Sequence, residues 1–218
     1  MSKKTIYVCI EGGEGVGKTT QTQLLADHLR EKGYKVLQTK EPGVDLLPLT
    51  IELRKIMLDA QYENQITPVA REFVSQAIRS IHLEKLIYPA LAGDEYDYII
   101  QDRGILSGLA YGTSCGNDPV WLENLATDVC GTRDPYMLYD KVIYLTGNIH
   151  SGLSRALDSK QEFEAGDAIE ARGITFMEKV SANFQEMSQW FSADTINIDG
   201  KNIEEVFDEI LSILPRND

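Results

Sequence analysis

Five short apolar runs recur along the chain, and most of what separates them reads as helix. Ile6 to Ile10 is uninterrupted, as expected of a parallel strand covered on both faces. Thr19 to Lys32 follows a helical period, with Leu24, Leu25 and Leu29 on one face and Gly33 placed to end it. Val36 to Thr39 then makes a second strand and completes a βαβ unit. Asp97 to Gln101 (DYIIQ), Val142 to Leu145 (VIYL) and Thr195 to Ile198 (TINI) repeat the theme. Near the end, Ile203, Val206, Phe207, Ile210, Leu211 and Leu214 fall at i, i+3, i+4, i+7, i+8 and i+11, a single apolar stripe. This alternation predicts an α/β fold, a parallel sheet of about five strands with helices on both faces.

One stretch breaks the pattern. Residues 151–173 are polar and mixed in charge, with Gly152, Gly166 and Gly173 spread through them. An exposed helical hairpin reads this way, and so does a small helical lid over a nucleotide; by its position the lid is the preferred reading. No repeat or low-complexity tract appears, and 218 residues suit a single domain spanning 1–218.

Charge narrows the function. The formal net charge is −13, from 21 basic against 34 acidic residues, so a nucleic-acid partner is not expected and any phosphate site must be a local basic focus. The apolar run before Glu11 is too short for a signal peptide or a membrane span, and the expectation is a cytoplasmic protein without a membrane partner. Cys9, Cys115 and Cys130 form no CxxC pair, and His28, His82 and His150 are scattered, so neither a disulfide framework nor a zinc site is indicated. Cys9, inside an apolar strand, reads as a buried small hydrophobe.

The chemistry begins where the first strand ends. Gly12-Gly13-Glu14-Gly15-Val16-Gly17-Lys18-Thr19 satisfies G-x-x-x-x-G-K-[ST] between a predicted strand and a predicted helix. Glycines let successive N–H groups turn toward one point, and the helix N-terminus adds its positive end there. The stretch from Gly12 to Thr20 is therefore expected to bind ATP. Lys18 reaches the outer phosphates as a point charge, and the Thr19 hydroxyl is placed to ligate Mg²⁺. Asp102 ends the third predicted strand, at the sheet edge that faces the ligand crevice, and is the candidate second magnesium residue.

From these residues outward the chain resembles the thymidylate kinase family of P-loop nucleoside monophosphate kinases. The likeness rests on EGGEGVGKTTQ at 11–21, TKEPG at 39–43 with PLTIELR at 48–54, AIRSIH at 77–82 leading to YPAL at 88–91, and DRGILSGLAYG at 102–112. The resemblance implies a five-stranded parallel sheet, a homodimer, and transfer of the γ-phosphoryl group of ATP to a deoxynucleoside monophosphate. It makes Arg103 the clamp on the acceptor phosphate and Arg54 a second clamp. Paired guanidiniums suit a dianionic acceptor that must approach an anionic donor. Ser75, Arg79 and His82, at i, i+4 and i+7, share the helix face that the family turns to the base, with Arg79 in place of the arginine that hydrogen-bonds a pyrimidine. Tyr111 matches the aromatic residue beside the sugar, Glu14 the P-loop acid near the acceptor, and Glu41, Ser107 and Gly108 complete the substrate set.

The departures from the family cluster at the acceptor. Ser75 stands where an aromatic ring stacks on thymine, leaving Phe73 or Tyr62 as substitutes and opening the pocket to another base. Gly104 replaces an aromatic residue after Asp-Arg, and EPGVD carries two extra residues before Arg54. On the donor side Gly15 replaces the P-loop arginine of some members, so the catalytic cation is expected from the lid: Arg155 first, with Lys160 and Arg172 in reserve. Two rival readings stay open. A deoxynucleoside kinase would use Glu41 as base on a hydroxyl, and a P-loop sensor would catalyse nothing; the acceptor arginines favour the monophosphate.

Overall fold

The computed structural model describes residues 4–131, 133–152, 154 and 172–215. The predicted lid and its Arg155 and Lys160 lie almost wholly outside those residues. Strands β1 (Ile6–Gly12), β2 (Val36–Lys40), β3 (Tyr98–Asp102), β4 (Lys141–Thr146) and β5 (Asp194–Asn197) form one sheet in the order β2-β3-β1-β4-β5. Every pairing is parallel.

The alternation within β1 sorts the core onto two faces. Tyr7 and Cys9 point to one side and pack with Ile99, Leu106, Leu109 and Phe184, while Ile6, Val8 and Ile10 point to the other and pack with Leu25, Leu29, Ile100 and Ile143. All seven residues of β1 are buried, which accounts for a run without polar alternation. The first face is covered by the segment Leu83–Ala92 that continues α3 (Pro68–His82), and by α5 (Ile105–Ser114), α6 (Pro119–Cys130) and α7 (Ile174–Met187). The second is covered by α1 (Lys18–Glu31) and α8 (Ile203–Ile213). Helices α2 (Pro48–Leu58) and α4 (Tyr88–Ala92) complete the chain order, α4 continuing α3 through one wider turn at Leu83–Ile87.

Helix starts are fixed locally. The Thr67 hydroxyl accepts from Ala70 N at 3.1 Å with Pro68 at the first turn of α3, and Asn202 and Glu205 form a reciprocal capping box on α8. The stripe predicted for α8 packs on the second face except at its first member, with Phe207, Leu211 and Leu214 partly buried against that core. Val206 and Ile210 are buried, but Ile203 is 55% exposed and Leu214 lies past the last helical residue. As the first residue of α8, Ile203 instead serves through its carbonyl, which accepts from Gln21 Nε2 at 2.9 Å.

In register, Ile10 and Lys40 both pair with Asp102, so β2 and β3 stop level, β1 runs two residues further to Gly12, and their following loops open onto one crevice. Among the described residues no helix is long and apolar enough to cross a membrane.

Candidate active site

The donor cradle is made mostly of backbone. The chain leaves β1 at Gly12, and Gly15 and Gly17 adopt φ of 67° and 86°, values that only glycine takes freely, before α1 begins at Lys18. Lys18 is 5% exposed, and its ammonium group donates to the Gly13 carbonyl. Burial, reinforced by the nearby charge of Arg103, lowers its pKa to about 8. Thr19 and Thr20 are exposed at the mouth. The Thr19 hydroxyl donates to Asp102 Oδ2 at 2.5 Å, while Asp102 Oδ1 is buried with no partner among the described residues. A hydroxyl beside an orphaned carboxylate oxygen is the sparse protein ligand set that Mg²⁺ uses when substrate phosphates supply the rest.

Gly15 has a neighbour that explains its identity. A Cβ there would overlap the carbonyl of Gly152, so the loop tip lies directly under the chain that follows β4. The position where other family members carry arginine is closed by backbone in this protein.

Beside the cradle lies an open cleft of about 840 Å³. Of the residues that the sequence assigned to the acceptor it brings together Glu41, Arg54, Ser75, Arg79, Arg103, Ser107, Gly108 and Tyr111. Arg103 stands between cleft and cradle. Its backbone has φ of 61°, costly for a side chain of this size, and is held there by an N–H bond to Ile10 O at 2.9 Å. Its guanidinium donates to Gly12 O at 3.1 Å and to Glu14 Oε1 at 2.5 Å. Glu14 also accepts from the Tyr111 hydroxyl at 2.9 Å, and Arg103 lies over the Tyr111 ring. Across the cleft, Arg54 Nε is buried without a partner among the described residues.

Glu41 is occupied. It accepts from Arg79 Nε at 2.9 Å and from His82 Nδ1 at 3.1 Å. Burial alone would raise its pKa, but Arg79 and His82 outweigh it and hold the group as a carboxylate below the ordinary range. A base so held is poorly suited to deprotonate a hydroxyl. His82 reaches Thr39 with its other nitrogen and is 1% exposed, so it stands behind Glu41 rather than beside the base, a correction to the predicted face. The α3 residues that do share the cleft with Ser75 and Arg79 are Pro68, Arg71 and Glu72.

Other expectations also shift. Phe73 is exposed and packs edge-on against Trp121, and neither it nor Tyr62 lines the cleft, so neither replaces the missing aromatic ring. Arg172 donates to Glu63 Oε1 at 2.7 Å and to Cys115 Sγ at 3.4 Å; it is engaged there rather than standing in reserve over the donor. Ser107 turns inward, and its N–H and hydroxyl donate to Glu11. The sequence reading missed Glu11, which looks like one more residue before the glycines. It is fully buried, accepts also from Gly104 N at 2.8 Å, and anchors the start of α5; burial raises its pKa.

The Gly104 departure has a physical account as well. A Cβ at Gly104 would overlap the Tyr139 hydroxyl and press on Cys9 Sγ. Tyr139 fills from the far side of the core the space that a larger residue would claim, and its hydroxyl accepts from Ile105 N at 3.2 Å. The extra residues after Gly43 fold back on α2, with Val44 buried and its N–H donating to Thr50 Oγ1 at 3.0 Å.

A family model described as thymidylate kinase matches residues 10–210. Among curated proteins, the thymidylate kinase of Geotalea daltonii is 34% identical over 207 residues, covering 91% of each chain. That of Gloeobacter violaceus is 32% identical over 209 residues, covering 95% of this chain and 93% of its own. Among solved structures, thymidylate kinase from Ehrlichia chaffeensis superposes with a TM-score of 0.71 over 97% of this chain and all of that one, at 22% identity, which bears on the fold. With a P-loop, an arginine-lined cleft beside it, a family model matched over residues 10–210 and relatives matched over about nine tenths of either chain, the chain belongs to the thymidylate kinase family.

Proposed function

We propose that the protein transfers the γ-phosphoryl group of ATP to a deoxynucleoside monophosphate, dTMP among its acceptors, giving the diphosphate and ADP. The observation that carries this reading is Arg103, strained in its backbone and bonded both to the P-loop and to the acid that lines the cleft. A guanidinium in that place meets donor and acceptor phosphates together. A sensor has no use for it, and a hydroxyl acceptor would need a free base where Glu41 is ion-paired.

In the reaction, the Gly12–Thr20 backbone and Lys18 hold the β- and γ-phosphates of ATP. Thr19 and Asp102 would hold Mg²⁺, which when bound supplies further charge neutralisation. Arg54 and Arg103 fix the acceptor phosphate in line, and Arg103 exchanges its bond to Glu14 for one to phosphate. Tyr111 flanks the sugar, where its ring leaves little room for a 2′-hydroxyl. Transfer is direct and catalysis is positioning with charge stabilisation, each preorganised donor contributing about 10²-fold or more. Arg155, in the lid segment 151–173, is the proposed cation over the transferring group.

A homodimer accords with the exposed Leu49 and Ile56 on α2, Val69 and Phe73 on α3 and Val120 on α6. The cytoplasm, where ATP and deoxynucleotides meet, is the compartment that this chemistry fits. The test is ADP release with dTMP, with thymidine and with neither. Release that requires dTMP supports the assignment; release with thymidine alone transfers it to a deoxynucleoside kinase.

A further inference from the structure

Helix α3 turns a polar stripe into the cleft at i, i+3 and i+7: Glu72, Ser75 and Arg79. It faces α5 where that helix carries Gly108 and Gly112. Arg79 Nη2 lies 2.7 Å from where a Cβ on Gly108 would sit, and Glu72 Oε2 lies 2.9 Å from the corresponding point on Gly112. The two glycines thus make room for the two charged groups. Four residues of helix separate them, roughly 6 Å along α5.

Each charged group is anchored on one side and free on the other. Arg79 gives Nε to Glu41 and Nη2 to Gly104 O, leaving Nη1 without a partner among the described residues. Glu72 accepts from Gln76 Nε2 at 2.7 Å through Oε1, and Oε2 has no hydrogen-bond partner among the described residues. Glu72 is 5% exposed. Its unused oxygen is therefore the side of the carboxylate that the cleft leaves open to a ligand.

We propose that Glu72 reads the base of the acceptor, its Oε2 receiving the ring N–H of a keto base while Arg79 donates to the neighbouring carbonyl. This rests on the cleft being the acceptor site. The class is the 4-oxopyrimidines and 6-oxopurines, in which a carbonyl oxygen and a ring N–H stand side by side. Cytosine and adenine present an amino group and a bare ring nitrogen at the same edge, which sets donor against Arg79 and acceptor against Glu72. Ser75, between the two readers, leaves the face of the base unstacked, so in-plane hydrogen bonds carry the selection. Gln76 acts through Glu72 as a positioning residue.

The clean probes are dUMP and dCMP, equal in size and opposite at this edge. The wild type should favour dUMP in kcat/KM by about 100-fold. Glu72→Leu should raise the KM for dTMP about tenfold or more, from the loss of one buried hydrogen bond, with kcat and the KM for ATP held within threefold. It should also shrink the dUMP to dCMP ratio by about the same factor. Glu72→Gln keeps the shape and an accepting oxygen, and should fall between the two. Melting curves establish that both variants fold. Calorimetric binding of dTMP separates the readings: binding weakened by Glu72→Leu without turnover sinks the kinase assignment alone. Turnover with the dTMP affinity and the dUMP to dCMP ratio unchanged in Glu72→Leu overturns the role of Glu72.

Discussion

The donor cradle and the acceptor cleft touch at Arg103 but are built in different ways. The cradle is one continuous segment, Gly12 to Thr20, which offers a phosphate backbone N–H groups and a single lysine. The cleft is assembled from Glu14, from the turns after β2 and β3, and from side chains on α2, α3 and α5, residues separated by up to 103 positions in the chain. Backbone chemistry needs glycines at fixed offsets and tolerates little else, whereas a wall of side chains can exchange one member if a neighbour compensates. Gly104 with Tyr139 and Ser75 with Glu72 are exchanges of that kind, and both lie on the acceptor side.

The sharpest break in the comparison is Lys18→Ala. The cradle has no second side chain to supply that charge, so phosphoryl transfer should fall by about two or more powers of ten in a folded protein. The measurement is single-turnover transfer at saturating ATP. Near wild-type turnover would place the charge elsewhere.

Arg103→Ala should follow, with a loss of about 10²-fold in kcat/KM for dTMP, felt in both kcat and KM, and an ATP affinity changed by less than about fivefold. Glu14 then loses its cation and Tyr111 its cover, so the damage belongs to the cleft. An ATP affinity that collapsed while dTMP kinetics survived would move Arg103 to the cradle.

This difference also explains what could be read in advance. The sheet and its strand positions were legible because β1, β3 and β4 are buried on both faces and spell uninterrupted apolar runs. The P-loop was legible because its function is local. All eight residues proposed for the acceptor do line the cleft, and seven of them belong to stretches that can be matched in order, with Ser75 placed by its spacing from Arg79. Their partners were not legible. Glu11 and Glu72 look like ordinary acids, and only the fold brings Ser107 to one and Gly112 to the other. His82 shares a helical spacing with Arg79, but three residues past it the helix face has turned to Glu41 and away from the cleft. Glu72, seven residues before Arg79, was available to the same arithmetic run in the opposite direction.

Gly104→Ala tests compensation directly. The added methyl group overlaps the Tyr139 hydroxyl, and overpacking of a well-filled core costs about 1–3 kcal/mol. Removing that hydroxyl in Tyr139→Phe should recover part of the loss, so the double variant should be more stable than the sum of the single changes. Urea denaturation of the four proteins measures the coupling. Strict additivity would mean that the two positions fill separate spaces.

The smallest expected effect bears on what the cleft retains at the expense of stability. Burial raises the pKa of Glu72, and the Gln76 hydrogen bond and the charge of Arg79 offset this only in part; Arg71 beside it on α3 and Cys115, just past the end of α5, are further ionisable groups that line the same cleft. A carboxyl raised in the folded state binds its proton more tightly there than in the unfolded chain. Folding stability contributed by this group is therefore greatest below the unfolded value, falls as pH rises through the window between the two, and stays low above the folded value. Glu72→Gln removes the titration and keeps the shape. At neutral pH it should melt a few degrees above the wild type, and the advantage should disappear as pH is lowered past the ordinary glutamate range. A melting temperature below that of the wild type at neutral pH would show that the carboxylate is a structural asset; the expected gain would show that the fold carries it for the acceptor.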